Sequence, residues 1–298
     1  MMCVKPDNDR ARDMAREHPY RGRRAAIATL HGKERVIGPA LSRFLALRLE
    51  PATDVDTDSL GTFTGEIARA GSMLDAARAK ARLAMARTGA GIGLGSEGAF
   101  GPHPAVPFLA SGVEVVVLID GASGQEIVAQ RRTRTNYEST TVRPGDDLSA
   151  FLARILFPSH AVIVRPERGA DPFDVVKGVS DRRALGEAVA KMAAASDTGR
   201  ALVQTDMRAH LNPTRMKAIG FVARALALRA ARLCPACGAP SFGVEDVLRG
   251  LPCADCGAPT RLVRAELHRC RLCGFETQKR VRPASLRAEA KWCDLCNP

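Results

Sequence analysis

Aromatic residues are scarce in this chain: one tryptophan, two tyrosines and ten phenylalanines make up 4% of its 298 residues. A core with few rings has to be built from Ala, Val and Leu, and apolar residues reach 46%. The scarcity also weakens any single-strand nucleic-acid reading, which needs aromatic stacking platforms. In the C-terminal region, Phe275 and Trp292 offer such surfaces. No run approaches the ~18 apolar residues of a membrane span. The longest, Val113 to Ile119 broken by Glu114, suits a buried strand. The first residues are polar (Lys5, Asp7, Asn8, Asp9, Arg10) and lack an apolar segment, so no signal peptide and no membrane partner are expected. GxxxxGK[ST] is absent, which excludes a P-loop. A disulfide pattern is missing too: eight of the nine cysteines form CxxC pairs, and Cys3 reads as an incidental thiol. That usage points to a reducing, cytoplasmic location.

What is present in excess is positive charge. The formal net charge is +12. Eight thiolates on two zinc ions would change it by −8 and +4, leaving about +8. A basic surplus favours an anionic partner, either a phosphorylated small molecule or nucleic acid. Composition divides the chain into a charged tail over 1–22, an α/β domain over 23–232 and a cysteine-bearing module over 233–298. Oligomeric state is not legible.

Within the α/β domain, Arg23 to Leu30 reads as a strand, His31 to Glu34 as a turn, and Val36 to Leu47 as a helix with helical apolar spacing. This places Lys33 near a helix N-terminus, where anions are held. Arg48 to Ala52 is a short strand. Asp54, Asp56 and Asp58 follow at alternate positions, but the later residues do not complete an EF-hand. Ser72 to Thr88 is an Ala-rich helix with Ser72 as N-cap, Asp75 three residues on, and Gly89 as its stop. Met73, Ala77, Lys80, Ala81, Ala84 and Arg87 share one face. Gly93 to Gly98 matches GxGxxG, but a Rossmann reading fails because a helix precedes it and Pro102 and Pro104 follow. A strand ending in a polar Ser96-Glu97-Gly98 turn is expected instead. Val113 to Asp120 and Glu126 to Thr133 then form a hairpin, with Glu114 on the face opposite Val113 and Val115. Further along, His160 to Arg165 and Ala201 to Thr205 read as strands. Asp181 to Ala195 reads as a helix, and so does the stretch from Pro213 to Arg232, capped by Asn212 or Thr214. Strands alternate with helices, so the class is α/β with a mixed sheet.

The cysteines carry the most specific signal: Cys234/Cys237, Cys253/Cys256, Cys270/Cys273 and Cys293/Cys296. Two such pairs converging on one metal give a tetrahedral thiolate site with no open position, hence a structural zinc. Sequential pairing gives two zinc ribbons with one four-cysteine site each; an interleaved cross-brace is the alternative. Gly238, Gly257 and Gly274 follow the second cysteine of their pairs, and Asn297 follows the last. These residue types tolerate the left-handed backbone that points N–H groups at sulfur. The module also carries many arginines, able either to contact phosphates or simply to keep a small domain soluble.

Taken together, the words HGKE, DTDSLGTFTGE, SEGAFGPHP, FPSH, TDMRAHLNPTRM, GLPC and CNP resemble the uncharacterised bacterial domain family DUF6671, over roughly Ala25 to Pro298. More distantly, the order strand, Gly-Lys turn, helix, Gly-Thr-Phe-x-x-Glu, Lys-bearing helix and acidic segment resembles the nucleoside triphosphate pyrophosphatases of the inosine triphosphatase type. That resemblance implies a magnesium-dependent hydrolase of a phosphorylated, nucleotide-like substrate. It implies Glu66 and Glu97 as catalytic carboxylates with Asp56 or Asp58 in reserve, Lys33 on phosphate, and Arg208, His210 and Arg215 in substrate recognition. The chain departs from that pattern: Ile67 stands where an Asn follows the Glu, and Ser96-Glu97 replaces a paired Asp-Asp. The competing reading is a zinc-ribbon protein that binds nucleic acid or a protein partner without chemistry.

Overall fold

The computed structural model describes residues 18–52, 71–169, 174–281, 283 and 286–298. The chain is an α/β protein with a mixed five-stranded sheet, a second four-stranded sheet, and a C-terminal three-stranded sheet flanked by the cysteine clusters. Among the described residues no helix is long and apolar enough to cross a membrane.

The first sheet contains β1 (Arg24–Ala28), β2 (Arg48–Ala52), β3 (Ile92–His103), β4 (Val106–Asp120) and β5 (Glu126–Arg134), in the order β2-β1-β3-β4-β5. β1 runs parallel to β2 and β3, whereas β3, β4 and β5 are antiparallel. One face is covered by α1 (Glu34–Leu45) and by the last long helix, Pro213–Ala230. Ile37, Leu41 and Leu226 pack there on Ile27, Leu94 and Leu118. α2 (Met73–Thr88) covers the other face, setting Ala77 and Ala81 against Val115 and Val117.

α2 explains the glycine run that precedes Glu97. A Cβ on Gly95 would lie 1.8 Å from the Ala77 carbonyl oxygen, and one on Gly93 would lie 2.3 Å from that of Ala81. Helix backbone therefore rests on strand backbone, which needs alanine on one side and glycine on the other. The helix itself starts with the expected reciprocal cap between Ser72 and Asp75 and stops at Gly89, which has φ +67°.

One expectation is overturned here. Ser96-Glu97-Gly98 is not a turn but the middle of β3, with Glu97 opposite Val115 and Gly98 opposite Glu114. Pairing with β4, together with the close approach of α2, overrides the low strand preference of glycine. The hairpin instead turns beyond His103, so β4 begins at Val106 and not at Val113.

The second sheet is antiparallel and has the order β6-β9-β7-β8: β6 (Ser139–Val142), β7 (Val162–Pro166), β8 (Val176–Val179) and β9 (Ala201–Thr205). Its own core comes from α3 (Ser149–Arg154) and α4 (Arg182–Ala194), through Phe151, Leu152, Leu185, Val189 and Met192. From β9 the chain passes through Asp206 to Asn212 and into α5 (Pro213–Ala230), which returns to the first sheet. The Asn212 side chain accepts from the Arg215 N–H at 2.9 Å, and Pro213 opens the helix. The third sheet holds β10 (Gly243–Arg249), β11 (Val263–Arg269) and β12 (Glu276–Arg280), all antiparallel.

Candidate functional site

Two groups of chemically capable residues stand out: the cysteine clusters and a buried polar cluster in the α/β part.

The cysteines form two sets of four, Cys234/Cys237 with Cys270/Cys273 and Cys253/Cys256 with Cys293/Cys296. The sequential pairing is thereby corrected to the interleaved one. The reason is the register of the three-stranded sheet. Gly243 lies opposite Arg269, so the start of β10, just after Cys237, meets the end of β11, just before Cys270. Arg249 lies opposite Val263, so the second pair sits at the far end of the same hairpin. β12 leads away from Cys273 to that far end, with Arg280 opposite Ala265, and delivers the last pair there. The two centres thus cap opposite ends of one sheet.

Each set suits zinc. Within a set all four sulfurs lie within 4.8 Å of one another. Sγ–Sγ distances across the first are 3.7 Å for both Cys234–Cys273 and Cys237–Cys270. Across the second they are 3.9 Å for Cys253–Cys296 and 3.6 Å for Cys256–Cys293. A tetrahedron of Zn–S bonds of ~2.3 Å has edges of ~3.8 Å, so the donors stand where the metal needs them. The loops have the expected form: the Gly238, Gly257 and Gly274 N–H groups donate back to the carbonyls of Cys234, Cys253 and Cys270, at φ of +72°, +75° and +74°. Asn297 donates to the Cys293 carbonyl at 2.8 Å, but its φ is not positive, contrary to the expectation from residue type. The first centre is anchored to the α/β part: Gln125 donates to the Pro240 carbonyl at 2.6 Å, and Arg229 reaches the Val128 carbonyl and Ser241.

The second group lies at the carboxyl end of β1, where the chain turns through His31 and Gly32 into α1 while β3 continues past it. Lys33 sits at the N-cap position of α1, is 6% exposed, and donates from Nζ to the Ser96 carbonyl at 2.9 Å. An ammonium carries three N–H donors; among the described residues this is the one acceptor it meets. Burial lowers its pKa to about 8, with Arg215 adding to the fall and Glu97 and Glu114 opposing it.

Strand alternation sends the neighbouring charges to opposite faces of the sheet. Glu97 points toward α2 and pairs there with the buried Lys80, while its other oxygen takes the Gly98 N–H at 3.3 Å. Glu114 points toward α5, where Arg215 Nε donates to it at 2.8 Å. Arg215 also donates to the Met207 carbonyl, and its guanidinium lies 4.9 Å from the Phe100 ring centre. Gly98 makes room for this pair, because a Cβ there would come within 2.7 Å of both Arg215 and Glu114. Among the described residues, the second Glu114 oxygen and the Ser96 hydroxyl are buried without a hydrogen-bond partner.

His31 stacks on His210, with centroids 4.8 Å apart and planes 27° apart. Burial first, then the positive surroundings (His210, Lys33, Arg215 and Arg208), hold the His31 imidazole down at about 4. It is neutral at pH 7. Burial and Arg208 also lower the pKa of His210. Arg208 is held by Asp206, which is fully buried and also accepts the Gly178 N–H at 3.1 Å. His160 fixes the start of α5 by contacting the Thr214 hydroxyl at 2.9 Å and accepting its N–H at 3.1 Å.

Of the residues singled out from sequence, Lys33, Glu97 and Arg215 surround one stretch of β3, and Arg208 and His210 join them through His31. Glu66, with Asp54, Asp56 and Asp58, falls outside the described residues. Sequence reasoning missed Lys80, Glu114, His31 and Asp206 as members. Two of them carried a signal: Lys80 shares the alanine face of α2, and Glu114 interrupts the most apolar strand. Both are charges placed where burial is otherwise complete. Among the described residues, groups of three or more metal-ligating side chains occur at the cysteines alone. The Glu97 oxygens are already engaged by Lys80 and Gly98, and magnesium finds no support among the described residues.

A family model described as a domain of unknown function, DUF6671, matches residues 80–298. The match starts inside α2, not at Ala25 as the shared words suggested. No curated protein and no solved structure matches the chain. The resemblance to the nucleoside triphosphate pyrophosphatases therefore finds no support there.

Proposed function

The chain belongs to the DUF6671 family, whose description assigns no activity, and we propose from its own geometry that the α/β part binds a phosphorylated, nucleotide-like small molecule at Lys33. One observation carries this reading: among the described residues, a lysine buried to 6% exposure spends one of its three donors on protein. Burying an ammonium whose hydrogen bonds are not all made is costly, and an anion removes that cost. The surroundings agree in sign. Among the described residues, Lys33, Lys80, Arg208 and Arg215 face Glu97, Glu114 and Asp206, four cations to three carboxylates, with His31 neutral. The position, outside the carboxyl end of a parallel strand and at a helix start, is where α/β sheets receive phosphates.

Hydrolysis of that ligand is the finer reading. Glu97 would orient water in it, with Glu66 as the second carboxylate. The described geometry supports binding better than turnover, because Lys80 occupies Glu97. No step is assigned to magnesium. The zinc centres have full thiolate shells and serve structure in this reading.

The test is calorimetric titration of the zinc-loaded chain with a panel of nucleoside mono-, di- and triphosphates and pyrophosphate. The same panel is followed for phosphate and pyrophosphate release, with and without magnesium. The expected result is binding by wild type, weakened at least tenfold in Lys33→Met. Absence of binding across the panel rejects the reading. Binding without release, in wild type and Glu97→Gln alike, retains the site and rejects the hydrolase.

A further inference from the structure

The zinc module carries a second concentration of unspent positive charge, remote in sequence from Lys33. Four of its nine described lysines and arginines are neutralised locally by carboxylates. Arg261 pairs with Asp294 at 3.0 Å, Arg271 with Glu245 at 2.9 Å, and Arg269 and Lys291 with Glu276 and Glu289. Arg264 and Arg280 differ: among the described residues no carboxylate stands within ion-pair distance of either. Both line one cavity of about 340 Å³, beside the Gln278 amide and against an apolar wall that includes Leu251 and Leu286.

The second metal centre builds that cavity. One wall, Gly250 to Pro252, runs directly into Cys253. The opposite wall, around Leu286 and Arg287, runs into Ala288, whose N–H donates to the Pro252 carbonyl at 2.8 Å and whose carbonyl accepts from Ala254 at 2.8 Å. Cys253 and Cys293 belong to the same cluster, so its closure holds the walls at their spacing together with those hydrogen bonds. The floor is β11 and β12, where Ala265 faces Arg280 across the ladder.

We propose that this cavity is a phosphate-backbone site for single-stranded nucleic acid. Guanidinium groups are fork-shaped donors matched to phosphate oxygens. Here two of them, free of described internal acids, open onto one concavity with an amide donor and apolar surface beside them. A free nucleotide shares the phosphate chemistry. The strand is favoured because Arg264 and Arg280, on neighbouring strands, can each take a phosphate of one backbone; with no aromatic ring in the described lining, the site holds the backbone and leaves the bases unstacked.

The experiment measures binding of a short fluorescein-labelled oligodeoxythymidylate to the full-length, zinc-loaded chain by anisotropy over a range of salt. Each contact to a single strand contributes about 0.7 to the slope of log K against log salt. Arg264→Gln and Arg280→Gln are each expected to lower that slope by about 0.7 and to weaken binding several-fold. Arg261→Gln, whose charge is already paired, is expected to leave the slope unchanged. Removal of zinc by chelation is expected to abolish the Arg264 and Arg280 contributions together. Slopes equal to wild type in both variants overturn the proposal, as does absence of oligonucleotide binding. Equal competition by inorganic phosphate or thymidine monophosphate overturns the strand assignment in favour of a small-phosphate site.

Discussion

A buried lysine kept for a ligand should weaken the fold when the ligand is absent, and here the size of that effect can be worked out. The Lys33 pKa falls from 10.5 to about 8 on folding, chiefly through burial. At about 1.36 kcal/mol per decade this is a cost of about 3 kcal/mol wherever both folded and unfolded chains hold the proton. The sign follows from proton counts. Below pH 8 both states are protonated and the full cost is present. Between pH 8 and 10.5 the unfolded chain binds more protons, so stability rises with pH; above 10.5 the cost is gone. At pH about 9.5 the relief is about 2 kcal/mol. Lys33→Met lacks the proton at every pH and loses the Ser96 hydrogen bond, worth about 1 kcal/mol. Ligand-free Lys33→Met should therefore be more stable than wild type at pH 7 by about 1–2 kcal/mol, with the gap closing by pH about 9.5. Urea unfolding followed by circular dichroism, on zinc-loaded protein at both pH values, measures this directly. A variant less stable than wild type at pH 7, or a gap that does not change with pH, refutes the reasoning. The same protonation predicts that phosphate affinity in wild type declines as pH rises through about 8.

Other consequences follow from named contacts. Gly95→Ala should destabilise the chain by about 1–3 kcal/mol or more in urea melts, since the opposing atom is helix backbone and has no rotamer to escape into. Glu114→Ala should cost about 3–5 kcal/mol by stranding Arg215 as a buried charge. The double variant with Arg215→Met should recover much of that loss, and additive losses would contradict a closed pair. For the metal centres, Cys237→Ser and Cys273→Ser should each lower the affinity of the same zinc ion, and the double variant should affect no second ion. Zinc released to a colorimetric chelator distinguishes this from sequential pairing, in which Cys237 and Cys273 would act on different ions.

The site was legible where a residue violated its local pattern. A lysine in a glycine turn at a helix start marked Lys33, and a glutamate among glycines marked Glu97. What the glycines were for was not legible. Within a single strand they read as a turn, and only the backbone of α2 lying on β3 gives them their purpose. Arg208 and His210 lie more than a hundred residues from Lys33, and they reach it because α5 leaves the second sheet to pack on the first. The short strands β6 and β8, four residues each, escaped notice because so few alternating positions carry no periodic signal.

By itself the sequence determined the elements and the donors: an alternating α/β chain, capped helices, and eight thiolates in four pairs able to hold two metals. Those are local properties, written in spacing and residue type over a few positions. The tertiary structure alone decided which donors share a metal and which charges share a cleft. Strand register in the three-stranded sheet sets Cys237 beside Cys270 instead of Cys253. Sheet order sets Lys33, Glu97 and Arg215 around one strand. Both depend on pairings between distant segments, whose free energy comes from burying faces against each other and not from any single stretch of chain.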